Sequence, residues 1–139
     1  MQREPLKVIV DSNALFVPFQ FKIDVYGELA RLLNRRFELV LLSVVKRELE
    51  FLATTGSPTM RKSAILALRF AKEWHFVDVD AEFANSVSAL VDDIIVEVAK
   101  RWGALVFTND KLLRRRLRDI SVPVIYVRQK SRLEIDGLV

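Results

Sequence analysis

The sequence predicts an α/β protein of three layers, α/β/α, in which helices cover both faces of a central, mostly parallel, five-stranded sheet. Two observations lead to this fold class. Short apolar runs rich in β-branched residues alternate along the chain with longer stretches in which apolar residues recur at helical spacing. Helical connections of about 10–15 residues imply crossovers, and crossovers join parallel strands into a sheet that is buried on both faces.

Each predicted strand is a short apolar run. The first, Leu6–Val10, ends directly before Asp11. The predicted strands cover residues 6–10, 38–42, 75–79, 104–107 and 122–127. No repeat or linker divides them, and a length of 139 residues is typical of one domain, so we expect a single domain spanning residues 1–139.

The predicted helices occupy the stretches between these strands. Residues 24–35, 59–74, 91–102 and 111–118 have helical periodicity, and a further helix runs from a cap at Ser43 to the turn at 54–58. A polar link precedes the helix at 91. The residues expected to face inward are Val44, Val45, Leu49, Leu52, Ile65, Leu68, Ala71, Leu112, Leu113 and Leu117.

The composition excludes several classes of function. The chain has no cysteine and one histidine, His75, which excludes disulfides, thiol catalysis and Cys- or His-rich metal sites. It also lacks a Gly-rich phosphate loop, and no apolar run approaches the roughly 18–20 residues of a membrane span. Since the N-terminus is unlike a signal peptide, we expect a soluble, cytoplasmic protein that does not engage a membrane.

Four acids stand where a parallel sheet places its chemistry. Asp11 follows the first strand and Asp110 follows the fourth, at the strand ends where ligands gather in open α/β sheets. Asp93 opens the helix that leads into the fourth strand, and Glu48 lies one to two turns into the helix after the second. Converging carboxylates repel one another, and bound Mg²⁺ or Mn²⁺ removes that repulsion. Such ions activate water for attack on a phosphodiester.

Neutral hydrogen-bonding residues surround Asp11 and Asp110. Either acid can have a purely structural role, as the cap of a turn or of the following helix, and Asn109 can cap that helix equally well. The neutral neighbours either orient carboxylates around a metal ion or make ordinary turn and cap bonds. They are Ser12, Asn13, Thr108 and Asn109.

The other two acids have competitors close by in sequence. Asp92 precedes Asp93, and both favour a helix N-terminus because of the helix macrodipole. The doublet leaves open which acid binds metal and which supports it; Asp93 is favoured by its register with the apolar residues that follow. Glu50 competes with Glu48, since exposed glutamates are common on helices.

The end of the chain is basic. Residues 111–139 hold 8 Lys and Arg against 3 Asp and Glu, whereas residues 1–110 hold 14 against 15, so the last fifth supplies the net charge of +4. This segment favours a polyanion ligand, although charged helix faces are commonly just solvated. The residues expected to contact the phosphates of a nucleic acid are Lys111, Arg114, Arg115, Arg116, Arg118, Arg128, Lys130 and Arg132.

The order and surroundings of the acids resemble those of PIN-domain nucleases, small α/β domains that cut RNA with Mg²⁺ or Mn²⁺. The matching segments are VDSNAL around Asp11, VVKREL around Glu48, VDDIIVEVA around Asp93 and FTNDKLLRRRLR around Asp110. Ser12 and Thr108 match the small polar residues of the family beside its first and last acids. The resemblance implies that Asp11, Asp93 and Asp110 hold the metal and that Glu48 is a further ligand or a water-orienting base.

Within that family, the segment from Thr108 to Gly137 resembles the branch that matures small-subunit ribosomal RNA, in its compact archaeal form. The resemblance therefore implies a metal-dependent endoribonuclease acting on ribosomal RNA or its precursor particle. The alternatives are a toxin ribonuclease of the VapC type, which is paired with an antitoxin, and an inactive RNA-binding scaffold. Members of the family often pair, so a homodimer is a further expectation.

Overall fold

The structure is a computed structural model that describes residues 4–83 and 90–139. Part of the polar link predicted before residue 91 lies outside these ranges. The strands are β1 Leu6–Val10, β2 Phe37–Leu42, β3 His75–Val77, β4 Leu105–Phe107, β5 Val124–Arg128 and β6 Arg132–Asp136. The helices are α1 Val17–Gln20, α2 Val25–Leu33, α3 Ser43–Thr55, α4 Pro58–Phe70, α5 Asp80–Phe83, α6 Val91–Trp102 and α7 Lys111–Asp119, with a 3-10 helix at Ser12–Phe16.

The sheet has the order β3-β2-β1-β4-β5-β6 and confirms the α/β class and the mostly parallel arrangement. All neighbouring pairs are parallel except β5 and β6. The chain leaves β1 toward β2 on one side and returns to β4 on the other, so the strand order reverses between β1 and β4. The carboxyl ends of these two strands therefore form the crevice in which open α/β sheets bind their ligands.

Buried apolar residues fix the positions of the strands and helices that surround that crevice. Val8, Ile9 and Val10 of β1 are fully buried, because the central strand of a parallel sheet is covered on both faces. Leu49 of α3 and Ile95 of α6, which belong to the two helices carrying candidate acids, are also fully buried. Truncating such a leucine or isoleucine to alanine typically costs about 2–5 kcal/mol. The helices are thus anchored by their apolar faces while their polar residues remain available to the crevice.

Within residues 4–83 and 90–139 the sheet has six strands, one more than the five predicted. β6 pairs antiparallel with β5, and its alternating pattern places Leu133 in the core between charged neighbours. The turn before it contains no glycine; instead Gln129 and Lys130 adopt left-handed conformations with φ of 54° and 57°. Hairpin turns with positive φ usually carry Gly or Asn, so this hairpin has none of the sequence signal that normally reveals one.

Three predicted local features are wrong. Ser43 is the first residue of α3 rather than its cap, because its hydroxyl instead accepts from the backbone N–H of Val79 and donates to Asp80. Ile65 is 42% exposed, since the inner face of α4 consists of its alanines. Leu112 is 72% exposed, because the buried stripe of α7 follows the spacing of four residues between its other two leucines.

Among the helices formed by residues 4–83 and 90–139, none has the length and apolar character needed to cross a membrane.

Candidate active site

Asp11 is a buried carboxylate at the carboxyl end of the central strand. It is 4% exposed, and its backbone N–H donates to the carbonyl of Phe107 at the end of β4. Its Oδ1 accepts from the backbone N–H of Ser12 at 2.8 Å, while Oδ2 accepts from Thr108 Oγ1 at 2.8 Å and from Asn13 Nδ2 at 3.0 Å. Three donors therefore fix the orientation of this carboxylate without neutralising its charge.

Thr108 and Asn109, which follow β4, tie the strand ends together. The Thr108 hydroxyl donates to Asp11 and accepts from the backbone N–H of Asp110 at 3.1 Å. Asn109 donates its backbone N–H to Oδ1 of Asn13 at 3.0 Å, and its side-chain oxygen accepts from a backbone N–H of β5 at 2.9 Å. These neutral residues thus form a network that connects β1, β4 and β5 around the buried acid.

Asp110 is the N-cap of the basic helix. Its Oδ1 accepts from the backbone N–H groups of Leu112 at 2.8 Å and Leu113 at 3.1 Å. The structure therefore selects Asp110 over Asn109 as the cap. Both bonds use one carboxylate oxygen, so the cap role and a role in binding a cation are compatible for the same side chain.

Glu48 points its carboxylate into the same crevice from α3. The pKa of Glu48 is raised above its ordinary value, first by burial and then by the negative charges of Asp11 and Asp92, while a hydrogen bond from the Ser12 side chain opposes the rise. Its Oε1 is buried and has no hydrogen-bond partner. A buried acceptor without a partner is costly, and a cation is the ligand that satisfies it best. Glu48 rather than Glu50, which is exposed, is the acid of α3 at this site.

The structure places Asp92, not Asp93, with the other acids. Burial raises the pKa of Asp92, and the charge of Asp110 raises it further. By contrast, the Arg116 side chain bonds to Asp93 and lowers the pKa of that carboxyl, with an Nη2–Oδ1 distance of 2.8 Å. Asp93 also accepts from the backbone N–H of Leu90 at 3.3 Å. Asp93 is therefore occupied by α7 and by the start of its own helix.

The acids at the crevice repel one another. Burial is the main cause that raises the pKa of Asp11. The charges of Asp92 and Asp110 raise it further, whereas hydrogen bonds from Thr108 and Ser12 oppose the rise. Together with Glu48, these acids form a set of four carboxylates at the same crevice. An all-oxygen donor set suits a hard divalent ion. Of the residues described, no group of three is arranged to hold an ion with its side chains as they stand.

Comparison with known proteins identifies the family and supports the fold. Residues 8–130 match a family described as a PIN like domain. The chain belongs to this family. The matched region contains all the candidate acids and most of the basic segment, so the family assignment covers the whole candidate site of this PIN domain.

Individual relatives cover nearly the whole chain. Ribonuclease VapC4 of Methanocaldococcus jannaschii is 38% identical over 136 residues, which are 96% of this chain and 98% of that protein. Ribonuclease VapC9 of Archaeoglobus fulgidus is 29% identical over 130 residues, which are 94% of this chain and 89% of that protein. The rRNA-processing protein fcf1 of Schizosaccharomyces pombe is 32% identical over 94% of this chain and 64% of its own length.

Solved structures show the same fold. The structure of the PIN domain endonuclease Utp24 superposes with a TM-score of 0.77 and 29% identity, covering 97% of this chain and 94% of that chain. VapBC2 from Rickettsia felis, bound to a DNA fragment from its promoter, superposes with a TM-score of 0.59 and 16% identity. The match covers 88% of this chain and 100% of that chain. The second likeness concerns the fold alone.

The predicted basic residues of this PIN domain are less available than the sequence indicates. Asp136 of β6 pairs with two arginines of α7, Arg114 at 3.0 Å and Arg118 at 3.2 Å, so these side chains do not all extend outward. Arg128 and Arg132 pair with Glu134 at 3.4 and 3.3 Å. The correction follows from β6, because the acids that hold these arginines lie on the strand that was not predicted. Exposed cations nearby are Lys111, Arg115 and Lys130.

Sequence reasoning missed Tyr126 and Asp136. The Arg114 guanidinium lies 3.6 Å from the centroid of the Tyr126 ring, and Asp136 fixes that arginine from the other strand of the hairpin. The only available signal was the alternation of apolar and charged residues at 132–136, which indicates a strand with one face in the core. Had β6 been predicted, the acidic residues on its polar face would have been candidates for pairing with the arginines.

We expect Glu48→Gln to stabilise the metal-free protein. The substitution removes a desolvated charge while keeping an acceptor for Ser12, and we expect a gain of about 1 kcal/mol, or roughly 3–5 °C in Tm. The pKa of Glu48 is raised in the folded state, so its ionisation costs stability at neutral pH and costs nothing below the ordinary carboxyl range. Thermal unfolding in EDTA should therefore show a gain at pH 7.5 that vanishes near pH 4. Glu50→Gln is the control; an equal gain there would contradict the assignment of Glu48.

Proposed function

We infer that this chain is an endoribonuclease of the PIN class, and we propose that it hydrolyses RNA with Mg²⁺ or Mn²⁺ bound among Asp11, Glu48, Asp92 and Asp110. The observation that carries the proposal is the set of mutually repelling acids at the strand-order reversal between β1 and β4. Relatives that cover nearly the whole chain are ribonucleases by name. Asp92 replaces Asp93 in the ligand set that the sequence favoured.

The residues of the chain have separable roles in this reaction. A bound divalent cation would act as a Lewis acid toward the attacking water and the leaving oxygen. Asp11 presents a carboxylate whose orientation is fixed by three hydrogen bonds, so little reorganisation accompanies binding. Glu48, whose buried Oε1 has no hydrogen-bond partner, would be a further ligand of the cation or would orient the attacking water. The proton of that water passes to solvent. The new bond joins the water oxygen to phosphorus, and the 3′-oxygen leaves and takes a proton from solvent.

The RNA is held by the basic surface beside the acids. Lys111 begins the helix that Asp110 caps, and it lines the same cavity as Asn13 and Thr108, whose side chains donate to Asp11. Lys130 occupies the turn between β5 and β6. Such contacts to phosphates give affinity that falls steeply with salt and carries little sequence preference.

We further propose that the substrate is ribosomal RNA of the small subunit or its precursor particle. Two similarities support this substrate: fcf1 is an rRNA-processing protein by name, and the structure of Utp24 matches 97% of the chain at a TM-score of 0.77. A cytoplasmic location and a homodimer remain predictions of the same proposal.

The second candidate is a toxin ribonuclease of the VapC type. The names of two relatives, one of them 38% identical over almost the full chain, favour it. A toxin of this type is paired with an antitoxin, whereas the first candidate acts on ribosomal RNA or its precursor particle. The third alternative, an inactive RNA-binding scaffold, is disfavoured because all the acids of the crevice are present and electrostatically coupled.

The metal requirement provides the direct test. A labelled, structured RNA is incubated with the protein in Mg²⁺, in Mn²⁺ and in EDTA, and cleavage is followed over time. We expect cuts that appear with either ion and disappear in EDTA. Binding without cleavage in both ions would contradict the nuclease and support the scaffold.

The substrate is tested separately. Small-subunit ribosomal RNA precursor, mature ribosomal RNA and an unrelated structured RNA are compared at equal concentration, alone and within ribosomal particles. We expect preferred cleavage of the precursor at a single position. Equal cleavage of all three RNAs, with inhibition by the product of an adjacent small gene, would favour the toxin instead.

A further inference from the structure

A cavity of about 640 Å³ opens beside the acids, at the carboxyl end of β5. Its wall includes Asn13 and Thr108, the two residues whose side chains donate to the Asp11 carboxylate. The cavity therefore adjoins the place where the scissile phosphate would lie. Its volume falls in the range of about 300–1,000 Å³ that is usual for pockets that bind small ligands.

One surface of this cavity is formed by Tyr126 and Arg114, which both line it and stack on each other. The Arg114 guanidinium lies 3.6 Å from the centre of the Tyr126 ring. Asp136 holds Arg114 through an Nε–Oδ2 pair at 3.0 Å, and the Tyr126 hydroxyl donates to Glu134 at 3.2 Å. Both side chains are thus held from β6 before any ligand arrives, which lowers the entropic cost of stacking a ligand on them.

The remaining wall combines aromatic, amide and cationic groups. Phe21 contributes a second aromatic ring, and Gln20 and Gln129 contribute amide groups that both donate and accept hydrogen bonds. Lys111 and Lys130 add positive charge at the same cavity. Aromatic rings for stacking, amides for the edges of a base and cations for phosphates are the combination by which proteins bind single-stranded RNA.

We propose that this cavity binds one unpaired base of the RNA, next to the scissile phosphate, stacked on the surface formed by Tyr126 and Arg114. The proposal rests on the proposed function for the identity of the nucleic acid. It adds a contact that the acids alone do not make, and a base that enters the cavity must leave its stack at a cost of a few kcal/mol.

Binding in EDTA tests the cavity without requiring cleavage. A short, single-stranded oligoribonucleotide with 2-aminopurine at each position in turn is titrated with wild type, Tyr126→Leu and Tyr126→Phe. Tyr126→Leu keeps apolar bulk but removes the ring, whereas Tyr126→Phe keeps the ring and removes the hydroxyl. We expect quenching at one position, lost in Tyr126→Leu and kept in Tyr126→Phe, with binding about 10-fold weaker for Tyr126→Leu only.

Two controls separate stacking from general effects. Lys100→Ala removes an exposed positive charge near the start of β1, at the opposite end of the sheet, and should bind as wild type does. A duplex of the same sequence should bind wild type and Tyr126→Leu equally. Equal loss for the duplex and the single strand, equal binding by Tyr126→Leu and wild type, or no quenching at any position would overturn the proposal.

Cleavage distinguishes failure of the cavity from failure of the nuclease. An abasic nucleotide is placed at the quenched position, and KM is compared with that of the intact RNA. We expect KM about 10-fold higher for the abasic RNA with wild type, and no difference with Tyr126→Leu. Position-specific quenching without cleavage in any metal would refute the nuclease and support the cavity. If metal-dependent cleavage has the same KM for the abasic and the intact RNA, the proposed base-binding role of the cavity is refuted, while the proposed nuclease activity is supported.

Discussion

Asp11→Asn is expected to lower RNA cleavage by about three orders of magnitude while the protein remains folded. Cations contribute several kcal/mol to the stabilisation of a phosphoryl transition state, and about 4 kcal/mol corresponds to this factor. Asp11 is the most buried of the acids, and its three hydrogen bonds aim it into the crevice. Loss of its charge therefore removes the carboxylate that we propose as the central ligand of the site.

The fold should tolerate this change. Asparagine retains the oxygen that accepts from Ser12, and the desolvation that raises the pKa of Asp11 no longer applies to a neutral side chain. Opposing this gain, the new amide faces the amide of Asn13, so we expect a Tm within a few degrees of wild type. The measurements are single-turnover cleavage and thermal unfolding.

Metal binding gives an independent readout for the same variant. Mg²⁺ or Mn²⁺ should raise the Tm of wild type in a saturable manner, because an ion that binds the folded state alone stabilises it by mass action. Asp11→Asn should lose this rise, whereas Asp24→Asn, which changes a carboxylate that caps α2 and keeps its cap bond, should retain it. A folded Asp11→Asn protein with undiminished cleavage would contradict the proposed site.

Position along the chain was enough to predict where the central acids lie. Asp11 and Asp110 follow strands whose apolar runs are unmistakable, and the sheet order brings those strand ends together. The same strands explain why Thr108 and Asn13 could be expected to surround the carboxylates. These features depend on local pattern and on one topological rule, both of which are encoded in short segments.

Contacts between distant elements could not be predicted in the same way. The roles of Arg114 and Arg118 depend on Asp136, whose strand follows a hairpin turn without glycine. The sequence shows a run of arginines, but the structure shows that some of them position Tyr126 and hold β6 against α7. Charge composition therefore located the basic residues, but it could not show which of their side chains are held by acids of β6.

The pair of aspartates at the start of α6 is the clearest case in which a tertiary contact, rather than local sequence, determines which side chain faces the crevice. Asp92 and Asp93 have the same chemistry and adjacent positions in the first turn, so the helix dipole favours both equally. Successive residues on a helix point about 100° apart, and only one can face the crevice. Arg116 of α7 binds Asp93, and this leaves Asp92 beside Asp110.

Asp92→Asn is accordingly expected to lower cleavage by about 100-fold, and Asp93→Asn by less than about threefold. The first substitution removes a charge that raises the pKa of both Asp11 and Glu48, and hence a charge that a bound cation would share. The second removes the charge that pairs with Arg116 but keeps an oxygen that can accept from the backbone N–H of Leu90, so we expect a small loss of thermal stability. The two variants are each other's matched control, because they differ by one position and carry the same change. Cleavage by each is measured at saturating Mg²⁺ and Mn²⁺ together with its Tm. If Asp93→Asn were inactive and Asp92→Asn active, the register with the following apolar residues would be the correct guide, and the Arg116–Asp93 pair would have to open before the metal binds.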